Sequence, residues 1–321
     1  MRPQKVSSRF ILRVLLGLVI AGSVVLISAC NFNHFPAVIG QTSTVAVPAQ
    51  TDPATSAPIT ATSTDDHAKV SPCWAYFIDV REGDSELLVT PAGKTILIDG
   101  GEQQSGALAF LKAHQVSHID LMIASHPHAD HIGGLIDVLE AMKVDTVAVN
   151  GRSNNTQTFK HFLDLITSTG AGYEELSTGD AFSIDGVSFS VVAPDKEYAP
   201  DDLDNTSLVI LAQCYQTRIL YTGDMEKDEE SRLLASKADI KVDILKVGHH
   251  GSNTSTSYNF LMAVSPAVAI YSAGAGNIYH HPHPSVINRL KSDKVAVYGT
   301  DINGSITVEI SPTGYTIQEE K

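Results

Sequence analysis

The chain has 321 residues, 43% of them hydrophobic and 18% charged. That balance excludes a disordered chain and suffices for one large core. The formal charge of −14 sets up a field that repels polyanions at long range, which argues against a general nucleic-acid coat protein. It does not exclude an enzyme acting on nucleic acid, because bound metal ions supply local positive charge.

Arg2, Lys5, Arg9 and Arg13 form a basic leader, and Leu15 to Ile27 is apolar apart from Gly17, Gly22 and Ser23. The run ends in Ile27-Ser28-Ala29-Cys30, so residues 1–29 read as a targeting segment. Small residues before a cysteine resemble a bacterial lipoprotein signal. That resemblance implies a lipidated Cys30 and a membrane-tethered chain on the extracytoplasmic face. An uncleaved membrane anchor is the alternative, and it also places the remainder outside the cytoplasmic membrane. Removal of the leader leaves 18 basic against 36 acidic residues, a net of −18. Residues 30–69 are rich in Ala, Thr, Ser and Pro and read as a flexible tether. Residues 70–321 then form a single α/β domain.

Within that domain, Trp74–Val80 and Glu86–Thr90 read as strands about a Gly83 turn, followed by Thr95–Asp99. Gly100-Gly101 breaks the chain before a helix over Ala107–His114. Ile119–Ala124 is a buried strand. Gly133-Gly134 leads into a helix through Ala141, with Thr146–Val149 a strand and Phe159–Thr167 a helix. Further strands are expected at Val187–Ala193, Ser207–Ala212, Arg218–Tyr221, Val242–Val247, Val268–Tyr271, Val295–Tyr298 and Ser305–Ile310. Helices fit Lys227–Ser236, Ser257–Val264 and Ser285–Lys291. Cys73 and Cys214 are left as a disulfide or as two buried thiols, two readings that spacing does not separate.

Three histidine clusters hold eight of the 13 histidines. His126-Pro127-His128-Ala129-Asp130-His131 follows the Ile119–Ala124 strand. It places four imidazole or carboxylate ligands in six residues, the donors that a borderline divalent ion takes. Two of them suit one ion and the next two a second, and paired ions activate water for hydrolysis. His249-His250 follows another strand, and neighbours on extended backbone point in different directions, so one can ligate while the other bonds elsewhere. His280-His281-Pro282-His283-Pro284 lies in an extended loop. There His283 is a candidate proton donor or substrate contact, with an ordinary surface histidine as the alternative.

The HxHxDH segment resembles the signature of the metallo-β-lactamase superfamily. Ile78-Asp79-Val80-Arg81-Glu82-Gly83-Asp84-Ser85, Ile96 to Gly101, Asn205 to Val209, Val242 to Ser252, His281 to Pro284 and Thr300 to Ile306 narrow the likeness. They resemble the C-terminal domain of ComEC-type DNA-uptake proteins, over nearly all of residues 74–311. The resemblance implies an αββα sandwich of two mixed sheets flanked by helices, and two divalent ions, zinc or manganese. It implies metal ligation by His126, His128, Asp130, His131, Asp224 and His249, with Asp224 bridging. Without it, Asp224 would read as a helix N-cap. His250 and Ser252 become neighbours of the metals or substrate contacts, and Asp130 and His283 the catalytic candidates. Two departures stand out. Arg81-Glu82 replaces the usual Gly-Gln, and the superfamily's third histidine for the first ion is missing near Asp204-Asn205, which leaves Asn205 or water to complete that site.

The expected function is a membrane-tethered extracellular phosphodiesterase acting on DNA. The alternatives are a hydrolase of small esters, lactones or phosphodiesters, and a metal-binding lipoprotein without turnover.

Overall fold

The computed structural model describes residues 71–194 and 202–321, together with the short strand Thr42–Ser43. The leader and Cys30 lie outside the described residues, as does the tether apart from that strand.

Two mixed sheets carry the architecture. Along the first run β1 (Thr42–Ser43), β16 (Gly314–Glu319), β15 (Ile306–Ser311), β2 (Cys73–Phe77), β3 (Glu86–Val89), β4 (Thr95–Ile98), β5 (His118–Ala124), β6 (Lys143–Val149) and β7 (Gly172–Glu175). Along the second run β14 (Ala296–Gly299), β13 (Val268–Tyr271), β12 (Ile244–Lys246), β11 (Thr217–Tyr221), β10 (Val209–Cys214), β9 (Val187–Ala193) and β8 (Ala181–Ile184). Each sheet has a parallel block: β4 to β7 in the first, and β11 to β14 in the second.

Strand alternation sorts the apolar side chains into three layers. Ala75, Phe77, Ile96, Ile98, Leu121 and Ile123 from the first sheet meet Phe189, Ile210, Ile219, Tyr221 and Ile244 from the second in a central core. Their neighbours Tyr76, Leu97 and Met122 face outward. They pack under α1 (Ala107–Ala113), α2 (Ala129–Ala141) and α3 (Gln157–Thr169). On the far side Val209, Leu220 and Leu245 pack under α4 (Lys227–Ser236), α5 (Tyr258–Val264) and α6 (Pro284–Ser292). The result is the expected αββα sandwich.

Two differences from the sequence reading shape the site. Helix α2 begins at Ala129, four residues before Gly133, so Asp130 and His131 sit in its first turn. Gly133 and Gly134 are interior to it. A Cβ on Gly134 would collide with the Gly100 carbonyl, so these glycines buy a close approach rather than a helix start. Gly83 (φ +105°) likewise lies against the Asp130 carbonyl, where a side chain has no room. β7, β8 and β16 go unpredicted because they lack a buried alternating face. β7, for instance, is exposed at all four residues.

Cys73 at the start of β2 and Cys214 at the end of β10 form a disulfide, with Cα atoms 6.6 Å apart. The bond ties the two sheets across 141 residues of chain. Reduction, or Cys73→Ser, is expected to lower unfolding free energy by about 2–4 kcal/mol. Denaturant titration of oxidised and reduced protein checks this.

Candidate metal centre

The chemistry-bearing loops leave the carboxyl ends of the parallel strands, where open α/β sheets form their crevices. Asp99 follows β4, the His126 to His131 segment follows β5, Asp224 follows β11, and His249-His250 follows β12.

Asp130, His131, Asp224 and His250 form an inner group whose ligand atoms all lie within 4.8 Å of one another. Asp224 Oδ2 is 3.2 Å from His131 Nε2 and 3.3 Å from His250 Nε2. Asp130 Oδ2 is 3.4 Å from the same His250 nitrogen. His126, His128 and Asp204 form a second group. There His128 Nδ1 lies 2.9 Å from Asp204 Oδ1, and His126 Nε2 lies 3.6 Å from it. Asp224 Oδ2 also comes within 3.9 Å of His126 Nε2, so this carboxylate stands between the groups.

These residues fit divalent ions. His131 Nε2, His250 Nε2 and Asp224 Oδ1 are buried without a hydrogen-bond partner. Leaving such a group unpaired costs about 1–3 kcal/mol. An ion among them satisfies all three with donor types it prefers.

Each inner imidazole is aimed from behind. Asp99 Oδ2 accepts from His131 Nδ1 at 2.8 Å, and Asp99 also takes the Ser125 N–H and hydroxyl. His250 Nδ1 lies 3.1 Å from both the Ser272 carbonyl and Asp84 Oδ1. Asp84 in turn pairs with Lys246, and both side chains are buried. Asp84, Asp99 and Lys246 have no local signal marking their roles, because the partners they hold are distant in sequence.

The field among these groups is strong. Burial works against protonation of His131 and His250, but the surrounding carboxylates, Asp224 foremost, outweigh it and hold both well above the usual imidazole range. Burial would raise Asp224, yet His131 and His250 hold it well below the usual carboxylate range. His126 is pushed well down by burial and by His131, and so stays neutral. Beneath the site, burial would raise Asp84 and lower Lys246, but their mutual attraction reverses both. Glu86 beside them is pushed well up by burial and by Asp84.

The other candidate residues have partners that spacing does not reveal. Both members of the pair His249-His250 stand in candidate ligand groups, His250 in the inner one and His249 with Asp204 and Glu226, its Nδ1 3.0 Å from Glu226 and its Nε2 3.9 Å from Asp224. Both residues have positive φ, 47° and 53°, so the extended-backbone argument does not apply to them. Asn205 faces away from the metals. Its Oδ1 accepts from the Glu226 and Glu229 N–H groups and its Nδ2 donates to Asp202, while the preceding Asp204 meets His126 and His128. His283 caps α6, its Nδ1 accepting the Ser285 N–H, and is half-buried. His281 instead faces the site, its ring 5.6 Å from that of His249 and 6.0 Å from that of His250. Ser252 bonds Thr254 within its own loop.

Comparison with known proteins identifies the family. Residues 78–275 match the family model described as the metallo-beta-lactamase superfamily, and the chain belongs to that superfamily. It is 32% identical over 250 residues to ComE operon protein 3 of Bacillus subtilis, covering 71% of this chain and 32% of that one. Recombination protein 2 of Haemophilus influenzae is 31% identical, with 78% of this chain and 30% of the relative covered. Competence protein ComA of Neisseria gonorrhoeae is 30% identical, with 75% and 33% covered. The chain therefore spans about a third of the length of these relatives. CmlA, a diiron beta-hydroxylase from Streptomyces venezuelae, shares the fold with a TM-score of 0.50 and 12% identity over 75% of this chain and 54% of that one.

Two outcomes follow from the electrostatics. In the metal-free protein, His131 and His250 keep their protons above the ordinary imidazole value near 6.5. Their contribution to metal-free stability is fully present below that value and is lost as pH rises through the raised ones. Metal must displace those protons, so affinity and the metal-induced rise in Tm should both grow with pH. Thermal melts with and without manganese between about pH 6 and 9 read this. Separately, Lys246→Ala strands the buried Asp84 charge and is expected to cost about 3–5 kcal/mol of stability in denaturant titration.

Proposed function

We propose that this chain is a metal-dependent phosphodiesterase acting on DNA at the outer face of a bacterial membrane. The observation that carries the reading is the pair of adjoining histidine–carboxylate groups with Asp224 between them. Asp130, His131 and His250 would hold one ion, and His126, His128 and Asp204 the other. Asp204 takes the place of the absent third histidine. Two such ions, zinc or manganese, supply Lewis acidity and activate water for attack on phosphorus.

The protein's own part is placement. Asp99 and Asp84 hold the His131 and His250 rings so that their Nε2 atoms converge beside Asp224. Glu226 fixes His249 at the rim of the site, where its Nε2 lies 3.9 Å from Asp224. Sequence similarity to proteins named for competence and recombination supports DNA as substrate. The Cys73–Cys214 disulfide supports an oxidising compartment, and the lipoprotein-like leader supports attachment through Cys30. One observation favours a second reading, a hydrolase of small esters, lactones or phosphodiesters. The net charge of −14 opposes binding of a long polyanion.

The test is cleavage of linear and circular DNA by the full chain with manganese or zinc. His128→Ala should reduce it by about 100-fold or more, since even groups that only orient ligands cost 10–100-fold. Metal-loaded protein that cleaves neither form, yet hydrolyses a small ester or diester, would establish the second reading.

A further inference from the structure

We propose that the loop from Gly274 to His283 forms a base-stacking subsite at the mouth of the metal centre, through which the protein selects single-stranded over duplex nucleic acid. The inference rests on the phosphodiesterase reading and names its substrate class.

Tyr279 and Ile278 are 60% and 82% exposed on this loop. The loop is pinned beneath them. Asn277 Nδ2 donates to the Gly274 and His281 carbonyls at 2.8 and 2.5 Å, and its Oδ1 accepts the His281 N–H at 3.0 Å. Glu82 Oε2 accepts the Gly274 N–H at 3.2 Å, tying the loop to the Arg81–Gly83 turn. The Tyr279 ring therefore has a built position. It stacks on His281 at 5.9 Å with 23° between the planes. His281 in turn lies 6.0 Å from His250, a member of the inner metal group. Two ring-to-ring steps connect the exposed tyrosine to a residue of the inner ligand group.

That ladder suits one nucleotide. A base stacked on Tyr279 would hold a strand two ring contacts from His250, so that a neighbouring phosphodiester along the strand would be the one presented to the centre. Beside the loop, a cavity of about 280 Å³ is lined by Arg81, Glu82, Gln103, Gln104 and Asn277, among others. The exposed Arg81 there provides a cation for the flanking phosphate.

Two physical reasons favour a single strand. An unpaired base offers its π-face to an aromatic side chain, whereas bases inside a duplex are already stacked. Stacking is also electrically neutral, so it adds affinity that a chain of net charge −14 cannot draw from its surface charge.

The test uses the manganese-loaded full chain and three labelled probes of about 12 nucleotides, within the usual single-strand site size. They are oligothymidylate, an abasic strand with the same backbone, and a duplex. Fluorescence anisotropy gives binding, and strand scission is scored separately. Oligothymidylate should bind about tenfold more tightly than the abasic strand, the range expected of one aromatic stack. Tyr279→Ala should bring that ratio near one, and Tyr279→Phe should keep it. Arg81→Ala should weaken both strands alike and flatten the salt dependence by about 0.7 in log–log slope, the loss of one phosphate contact. Equal binding of base-bearing and abasic strands overturns the subsite, as does a ratio that Tyr279→Ala leaves in place, or duplex bound as tightly as single strand. Base-dependent binding without scission under any metal would keep the subsite and remove the phosphodiesterase reading. Scission without base dependence would do the reverse.

Discussion

The constraint on which the rest depends is the orientation of buried imidazoles by groups behind them. His131 is held through Nδ1 by Asp99, and His250 by Asp84 and the Ser272 carbonyl. His126 Nδ1 lies 3.1 Å from the Ser125 hydroxyl and 3.3 Å from that of Ser207. With one nitrogen occupied, each ring has a single nitrogen left to face its neighbours. The fold supplies these holders from strand ends in both sheets, so the site exists only once the sandwich closes. Outer partners of this kind fix tautomer and ring direction and make the imidazole a better ligand.

Burying so many charged groups costs desolvation energy. Asp224 Oδ1 is buried with no hydrogen-bond partner, while His131 Nε2 and His250 Nε2 have given up water for contacts of 3.2 and 3.3 Å with Asp224 Oδ2. Below them the buried Asp84–Lys246 pair spends desolvation energy to hold one carboxylate against His250. Such costs are tolerable because three apolar layers surround the site and a disulfide joins the sheets. Anything that binds only the folded state then returns stability by mass action.

What the sequence makes legible follows from how local each feature is. HxHxDH packs four ligands into one strand–helix junction, so spacing alone marks it. The alternating strands and the long amphipathic helices are legible for the same reason. Asp99 and Asp84 are not, because their roles depend on His131 and His250, which lie 32 and 166 positions further along the chain. Asp204 and Asn205 are neighbours whose directions are set by one turn of 3-10 helix, Asp204–Thr206, and residue type cannot rank them. The directions of His249 and His250 are not legible either, because two successive left-handed residues replace the extended backbone that alternation assumes. His283 looks reactive in sequence, yet Pro284 starts a helix immediately after it and turns its ring into a cap.

The acidic surface and an anionic substrate are compatible if attraction is confined to the cleft. A net charge of −14 repels a phosphate backbone everywhere on average. Within the centre the sign reverses locally once divalent ions occupy it, since an ion is the largest charge in its surroundings. A neutral ring such as Tyr279 adds contact area without adding charge. Under the phosphodiesterase reading, discrimination would fall to the few groups around the candidate metal centre, and strands that cannot reach them would gain nothing from the rest of the surface. Salt would be expected to matter less to such a protein than to one that binds through a basic face, because few counterions are released when few phosphates are neutralised.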